Sequence, residues 1–220
     1  MCGRFGRLQE HERVERHFEV EWTEAVGSYN IAPQSIQPVV IQAGDNREIR
    51  MMRWGLVPYW ANDLNVGFST FNARAEDILT KPAFREAIVK RRCLVPAHFF
   101  FEWQRIGRAN QPYAIAADDG IFAFAGIWDR WNQAEMVLDS FSIVTTVANE
   151  VMDEIHSRMP VILAPADYER WLTATSPPID LLKPYPAKQM RIWAVSERVG
   201  NTQNDDAQLI APRPSQSLFG

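Results

Sequence analysis

Cysteine is scarce in this 220-residue chain, which contains only Cys2 and Cys93. Two cysteines without a CxxC pair exclude a disulfide framework and a zinc ribbon. The chain has no apolar run of about 18 residues, the length that a membrane-spanning helix requires. Its N-terminus lacks the basic start and the apolar stretch of a signal peptide. We therefore expect a cytoplasmic protein that does not associate with membranes and in which a thiol stays reduced.

Lysine is also scarce. Only four of the 23 basic residues are lysine, and the other 19 are arginine. The formal net charge of -4 gives no general attraction to nucleic acid. The planar guanidinium nevertheless suits a bidentate grip on phosphate. Two interpretations stay open: an arginine-lined groove on an acidic protein, and ordinary ion pairs on the surface.

Three frequent signatures of catalysis are missing: metal-ligand spacing, a phosphate-binding loop and a GxSxG nucleophile elbow. We therefore expect no metal and no cofactor.

Strand-like segments dominate the chain, and the helical segments are short. The patterns predict an amphipathic helix over 8–20, a hairpin over 37–54, one apolar strand over 91–104 and a helix over 148–155. The βα alternation of a parallel doubly wound sheet is absent. We predict a single α+β domain on a curved, mostly antiparallel, barrel-like β-sheet with short flanking helices. This domain is expected to span 1–210, followed by a flexible C-terminal tail over 211–220.

Cys2 directly follows the initiator methionine, and its small side chain favours removal of Met1. The trimmed chain would carry a thiol and an α-amine on adjacent carbons, with ordinary pKa values of about 8.5 and about 7.7–8.0. Such an aminothiol condenses with an aldehyde to an imine, and the thiol then closes a thiazolidine ring. Two alternatives are the nucleophile of an amidohydrolase and a small residue buried near the chain start.

Other polar residues stand in apolar surroundings. Glu102 follows three phenylalanines, and desolvation there would raise its pKa towards the range of a general acid. His156 lies in a break between a helix and a strand and can shuttle protons. Asn72 and Arg74 alternate, so both can point to one side of a strand. The alternatives are a surface glutamate, a structural histidine, turn chemistry for Asn72, and an ion pair of Arg74 with Glu76 or Asp77.

Aromatic and proline residues cluster in segments that are expected to be loops. Aromatic rings beside arginines suit base stacking on single-stranded nucleic acid. They can equally cover the core, an interpretation that we hold for Trp54 in particular. The residues are Tyr29, Pro33, Trp54, Pro58, Tyr59, Trp60 and Trp103.

Taken together, these segments resemble the SRAP family, named for SOS-response-associated peptidases. The resemblance follows the family's order along nearly the whole chain. It is carried by MCGRF, YNIAP, RWGLVPYW, FNARAE, RRCLVPAHFFFEW, IHSRMPVIL and VSERVGNTQND. Each motif is short, but their joint occurrence is specific.

The resemblance implies a protein of the DNA damage response that crosslinks to abasic sites in single-stranded DNA and shields them. Cys2 matches the crosslinking cysteine, and Asn72, Glu102 and His156 match the residues around it. Positions that hold DNA phosphates correspond to Arg4, Arg74 and Arg158. The wedge and stacking surface correspond to Pro33, Trp60 and Trp103. The family often has lysine in segment 199–204, where this chain has Thr202 and Gln203.

Other functions stay open on the sequence. A thiol autopeptidase would remove its own Met1, and a non-covalent binder would hold intact and abasic single strands equally. Glutamine amidohydrolases also begin with Met-Cys-Gly, but their Asn-Gly-Asp loop does not occur here. Lyase activity is a further expectation. We expect a monomer whose partner is single-stranded DNA containing abasic sites.

Overall fold

The computed structural model describes residues 2–22, 26–133 and 136–213, and these form an α+β structure rich in strands. In chain order the strands are β1 (Phe5–Arg7), β2 (Ser28–Ile31), β3 (Ile36–Ala43), β4 (Asn46–Trp54), β5 (Asn72–Arg74), β6 (Arg92–Ala97), β7 (Phe99–Ile106), β8 (Ala109–Ala117), β9 (Phe122–Gln133), β10 (Met136–Val147), β11 (Arg158–Pro160), β12 (Ile162–Leu163) and β13 (Met190–Ala194).

The helices are short. The α-helices are α1 (His11–Phe18), α2 (Ala87–Lys90) and α3 (Tyr168–Thr173). Short 3-10 helices cover Leu64–Phe68, Pro165–Asp167, Ile179–Leu181, Ala187–Gln189, Glu197–Gly200 and Ala207–Ile210. In the described ranges, no helix has the length and apolar character needed to cross a bilayer. Most of the expected tail, residues 214–220, lies outside the described residues.

Five strands form a closed barrel in the order β10, β4, β3, β6 and β9, and β9 pairs back onto β10. The β4–β10 pair is parallel and the other pairs are antiparallel. Outside the barrel order, β5 pairs with β10 in parallel and β11 pairs with β10 antiparallel. β12 pairs with β9 antiparallel. This barrel confirms the prediction of a curved, mostly antiparallel, barrel-like sheet.

A second sheet, in the order β13, β8, β7, β1 and β2, is antiparallel throughout. β1 pairs with both β2 and β7, so the first residues of the chain lie inside this sheet rather than at its edge. The largest side chains of the core come from both sheets. Phe5 of β1 meets Trp54 of β4 and Phe124 of β9 edge to face, with ring centroids 5.2 and 5.7 Å apart.

The predicted hairpin over 37–54 is confirmed as β3 and β4. Gly44 begins its two-residue turn with a positive φ of 60°, which glycine adopts without strain. The predicted amphipathic helix is confirmed as α1, which buries Val14 and Phe18. Trp54 is fully buried, which agrees with the interpretation that this residue belongs to the core.

The prediction of one strand over 91–104 is wrong, because the chain changes sheets at His98. β6 belongs to the barrel and β7 to the second sheet. At the junction the His98 N–H donates to Gly6 O at 2.9 Å, and His98 Nδ1 accepts the Leu8 N–H at 3.1 Å. An uninterrupted apolar run carries no signal for such a change, since both strands are buried.

The prediction of a helix over 148–155 is also wrong, because this segment forms turns. The i to i−4 hydrogen bonds from the Asp153 N–H to Asn149 O, at 2.9 Å, and from the His156 N–H to Met152 O, at 2.8 Å, are not consecutive. The side chain of Asn149 caps the first of these turns. Its Oδ1 accepts the Met152 N–H at 2.9 Å, and its Nδ2 donates to Tyr185 O at 2.7 Å.

Candidate functional site

Cys2 lies immediately before β1, at the place where the second sheet meets the barrel. The Phe101 N–H donates to Arg4 O at 2.9 Å, and Phe5 pairs with Phe100. The first residues therefore run antiparallel to β7 and approach Glu102. Cys2 has no exposed surface in the 220-residue chain, and this burial is what the alternative interpretation, a small residue packed near the chain start, predicts.

Asn72 joins Cys2 from the barrel side. It begins β5, which runs parallel to β10 with Asn72 opposite Ile143. Asn72 Nδ2 donates to Cys2 O at 2.8 Å. Asn72 Oδ1 is buried and accepts no hydrogen bond within the described part of the chain. One side chain therefore holds the start of the chain and also presents an unused acceptor beside it.

Glu102 is buried on β7, with 4% of its surface exposed. This excludes the alternative of a surface glutamate. Burial raises the pKa of the Cys2 thiol well above its ordinary value, and the negative charge of Glu102 raises it further. The backbone N–H of Arg4 acts in the opposite direction. The Cys2 sulfur is therefore a neutral thiol at pH 7 and lies within the electrostatic reach of a carboxylate.

His156 ends the turn segment 149–156 and is partly exposed. Its backbone N–H donates to Met152 O at 2.8 Å, and Met152 packs in the same apolar cluster as Cys2. Gln104 Nε2 on β7 donates to Glu154 O at 2.8 Å, which ties the segment to the strand of Glu102. His156 Nδ1 accepts the Arg158 N–H at 3.0 Å, so the neutral ring carries its proton on Nε2.

Arg158 forms an ion pair with Glu76 of the same chain. Its Nη1 and Nη2 donate to the two carboxylate oxygens of Glu76 at 3.0 and 2.9 Å, and Nη2 also donates to Thr145 O at 2.9 Å. Arg74 is exposed on β5, and its charge contributes to lowering the pKa of Glu76, after the hydrogen bond from Arg158. Glu76, which the sequence suggested as an ion-pair partner of Arg74, is therefore hydrogen-bonded to Arg158 instead.

Among the residues that the structure describes, Arg4 donates only to neutral acceptors. Its Nη1 donates to Asn30 Oδ1 at 3.2 Å and to Val199 O at 3.3 Å, and its Nη2 donates to Gly200 O at 3.4 Å. Burial lowers the pKa of its guanidinium from the ordinary value. Sequence reasoning missed Asn30, although the residue stands within the YNIAP motif. It also missed Thr145, whose strand has an unremarkable apolar pattern.

The three expected stacking residues occupy different elements. Trp103 follows Glu102 on β7 and is partly buried, Trp60 lies in the loop after β4 with 49% of its surface exposed, and Pro33 lies in the turn between β2 and β3. The described contacts connect Cys2 to Asn72 and Glu102, and extend along β7 and β10 towards His156 and Arg158. Across the described ranges, Pro33 and Trp60 make no hydrogen bond or ion pair with these residues.

In the residues that the structure describes, no three metal-ligating side chains lie close enough to hold an ion.

The fold and the site together define a β-barrel domain organised around a cysteine at position 2. The family model described as SOS response associated peptidase (SRAP) matches residues 1–202. This chain therefore belongs to the SRAP family.

Several relatives are named abasic site processing proteins. The abasic site processing protein YoqW of Bacillus subtilis (strain 168) is 38% identical, over 96% of this chain and 99% of the relative. The abasic site processing protein HMCES of Mus musculus is 32% identical, over 84% of this chain and 65% of the relative.

Solved structures share the fold. A protein of Bacteroides thetaiotaomicron has a TM-score of 0.88 at 28% identity, covering 96% of this chain and all of that one. A protein of Bordetella bronchiseptica has a TM-score of 0.80 at 27% identity, covering 89% of this chain and all of that one.

Proposed function

We propose that this protein captures abasic sites in single-stranded DNA covalently and thereby shields them during the response to DNA damage. The α-amine and the thiol of Cys2 form a thiazolidine with the lesion after Met1 is removed. The names of the relatives support abasic-site handling. The observation that carries the chemistry is the position of Cys2 between Asn72, which binds its carbonyl at 2.8 Å, and the buried Glu102.

The chemistry balances without a cofactor. An abasic sugar is mostly a closed hemiacetal, and ring opening moves the proton of its C1′ hydroxyl to the ring oxygen and exposes an aldehyde. The neutral amine of Cys2 attacks C1′, and loss of one water leaves an imine. The S–H bond then adds across the C=N bond: sulfur bonds to C1′, and the proton goes to nitrogen. The products are one thiazolidine and one water.

Glu102 and His156 are the acid and base for the proton transfers of this sequence. Glu102 lies within electrostatic reach of the Cys2 thiol, whose pKa its charge raises in addition to burial, and it can exchange protons with groups that react there. The Nε2–H of His156 can donate a hydrogen bond to an oxygen of the sugar and stabilise the charge that develops there during proton transfer. The unused Oδ1 of Asn72 can accept the N–H of the thiazolidine.

The burial of Cys2 places a condition on this proposal. In the chain that begins with Met1, the nitrogen of Cys2 is an acylated peptide nitrogen and is not nucleophilic. Removal of Met1 frees the nitrogen as an amine and removes the residue bonded to it. Trimming must therefore also make the thiol accessible to a sugar.

Arginines and aromatic rings provide the grip on the strand in this proposal. Contacts from Arg4, Arg74 and Arg158 to phosphates set the position of the backbone and carry no sequence information. Stacking of bases on Trp103 and Trp60 contributes about 1–3 kcal/mol for each base, with Pro33 as the wedge beside them. Because an abasic site already lacks its base, little unstacking cost remains.

Intact mass spectrometry tests the proposal. The trimmed protein, with its Cys2 N-terminus verified, is incubated with a single-stranded oligonucleotide that contains one abasic site. We expect a new species with the summed mass of both molecules minus one water. The same oligonucleotide with an intact base is the control. No adduct from the verified protein would refute covalent capture, and equal affinity for both strands would favour a non-covalent binder.

Two variants separate the steps. Cys2→Ala removes the thiol and keeps the amine, so it should stop at an imine that hydrolyses during denaturation. Cys2→Ser should behave likewise, since its hydroxyl is a much weaker nucleophile. Reduction with borohydride traps an imine, so trapped adducts from both variants together with a stable wild-type adduct would assign ring closure to the sulfur.

Removal of its own Met1 by thiol peptidase action, and cleavage of the DNA at the captured site as a lyase, are finer parts of the same proposal. Co-expression of wild type and Glu102→Ala tests the first. Retention of Met1 only in the variant would indicate self-processing, whereas normal trimming of both would assign the step to a host aminopeptidase. Denaturing gel analysis of the oligonucleotide after incubation tests the second.

A further inference from the structure

Asn30 is a buried asparagine of β2 that connects three parts of the chain, with 6% of its surface exposed. Its Nδ2 lies within hydrogen-bond distance of three carbonyls of segment 199–204: Val199 O at 3.3 Å, Asn201 O at 3.0 Å and Asn204 O at 2.8 Å. Its Oδ1 accepts the bond from Arg4 Nη1 at 3.2 Å. One amide group therefore fixes the path of the segment and receives the arginine.

The same segment contacts Arg4 directly through Val199 O and Gly200 O. A guanidinium has five N–H donors, and these contacts together with Asn30 use both donors of Nη1 and one of Nη2. The N–H of Nε and the second N–H of Nη2 donate to no group in the described ranges. Nε and Nη2 lie on the side-on edge of the guanidinium, which can bind two oxygens of a phosphate.

The charge of Arg4 is also uncompensated. Its acceptors are neutral, and across residues 2–22, 26–133 and 136–213 no carboxylate oxygen lies within 4.0 Å of it. Arg158 differs, because Glu76 occupies both of its Nη atoms. Of these two arginines, Arg4 alone presents both a free edge and a full charge to an anion.

We propose that Asn30 is a positioning residue for Arg4, and that segment 199–204 serves the site through its carbonyls rather than through a basic side chain. The inference rests on the proposed function only for the identity of the anion, a DNA phosphate. It gives a role to a segment whose side chains Thr202 and Gln203 carry no charge. Asp205 secures the segment further, since its Oδ1 accepts the Tyr29 N–H at 2.5 Å.

The first experiment measures the order of the Arg4 side chain without DNA, by the relaxation of its Nε–Hε group in NMR. In the wild type we expect the order of a rigid side chain. Asn30→Ala should lower it to that of a mobile surface arginine. Gln111→Ala is the matched control, because Gln111 Nε2 donates to Val195 O at 3.0 Å, in the same C-terminal stretch, without touching Arg4. Unchanged order in Asn30→Ala would overturn the proposal.

The second experiment measures the affinity for single-stranded DNA in a double-mutant cycle. We expect Arg4→Ala to raise the Kd about tenfold and Asn30→Ala about fivefold, and the double variant to match Arg4→Ala, because coupled residues are non-additive. Multiplied effects, about fiftyfold, would overturn action through Arg4. Arg4→Lys keeps the charge and loses the fork, so it should bind almost as weakly as Arg4→Ala. Wild-type affinity of Arg4→Lys would overturn the proposal even if Asn30→Ala does not fold.

Together, the two experiments distinguish failure of the positioning role of Asn30 from failure of the phosphate contact of Arg4. Loss of Arg4 order in Asn30→Ala, combined with unchanged DNA affinity in Arg4→Ala, would uphold the positioning role and refute Arg4 as a phosphate contact. A tenfold loss of DNA affinity in Arg4→Ala with no loss of affinity in Asn30→Ala would uphold Arg4 as a phosphate contact and refute the positioning role of Asn30.

Discussion

Both carboxylate oxygens of Glu76 accept hydrogen bonds from the guanidinium of Arg158, at 3.0 and 2.9 Å. The pair is half open to water, since the Glu76 side chain is 48% exposed and that of Arg158 is 14% exposed. An arginine that matches a phosphate-binding position therefore already carries an anion. Binding of a phosphate at the same fork would compete with Glu76.

This competition predicts that Glu76→Gln binds single-stranded DNA more tightly. The amide leaves Arg158 with its full charge, and one further phosphate contact steepens the dependence of log K on log salt by about 0.7. Fluorescence anisotropy over a series of salt concentrations measures both effects. Glu86→Gln, which removes the same charge beside Lys90 at 3.3 Å, should change neither. Weaker binding of Glu76→Gln would mean that the carboxylate orients Arg158 instead of competing for it.

Thiol labelling tests the accessibility of Cys2. Burial raises the pKa of both Cys2 and Cys93, so both sulfurs stay protonated at pH 8, where a free thiol is partly ionised. In folded protein that retains Met1, iodoacetamide should modify neither residue within the time that it modifies both in urea. After removal of Met1 we expect Cys2 to react and Cys93 to stay protected. Peptide mapping by mass spectrometry distinguishes the two, and an unreactive Cys2 in trimmed protein would contradict covalent capture.

Asn72→Ala should both destabilise the protein and slow the crosslink. The variant removes the donor to Cys2 O, and an unsatisfied buried carbonyl costs about 1–3 kcal/mol. It also removes the acceptor for the thiazolidine N–H. Urea unfolding measures the first effect and the time course of adduct formation measures the second. Asn72→Asp keeps an acceptor but cannot donate when ionised, so it should lose stability as well. A normal crosslinking rate in Asn72→Ala would limit this residue to a structural role.

His98 predicts a loss of stability in acid. Burial lowers its pKa to about 4 from an ordinary value of 6.5, against the opposing charge of Glu10. Between these values the unfolded state binds a proton that the folded state does not, so stability is full above pH 6.5 and falls as the pH decreases towards 4. The loss from this group between pH 7 and pH 5 is about 2 kcal/mol.

Unfolding free energies of His98→Asn across this range test the assignment. Because asparagine does not titrate, the variant should show a flatter dependence between pH 7 and pH 5, although it is less stable overall. The comparison protein is His11→Asn, which removes a partly exposed histidine of α1 and should retain the wild-type slope. Equal slopes for the wild type and His98→Asn would assign the acid sensitivity to other groups.

The sequence by itself determined the local features of this protein. The turn at Gly44, the apolar face of α1 and the strands that surround them depend on neighbouring residues, so the pattern of the chain predicts them. It also determined the candidates Cys2, Asn72 and Glu102, because a cysteine at position 2 and polar residues in apolar surroundings are visible without a structure. Burial of Glu102 could be anticipated from the three phenylalanines before it.

The tertiary structure alone decided which groups meet. The change of sheet at His98, the bond from Asn72 to Cys2 O and the choice of Glu76 by Arg158 join residues that are 70 or more positions apart or belong to different sheets. The connection of Arg4 to Asn30 and to the carbonyls of 199–200 is of the same kind. A backbone carbonyl is identical at every position of the chain, so no pattern of side chains shows where a fold will gather several of them around one guanidinium.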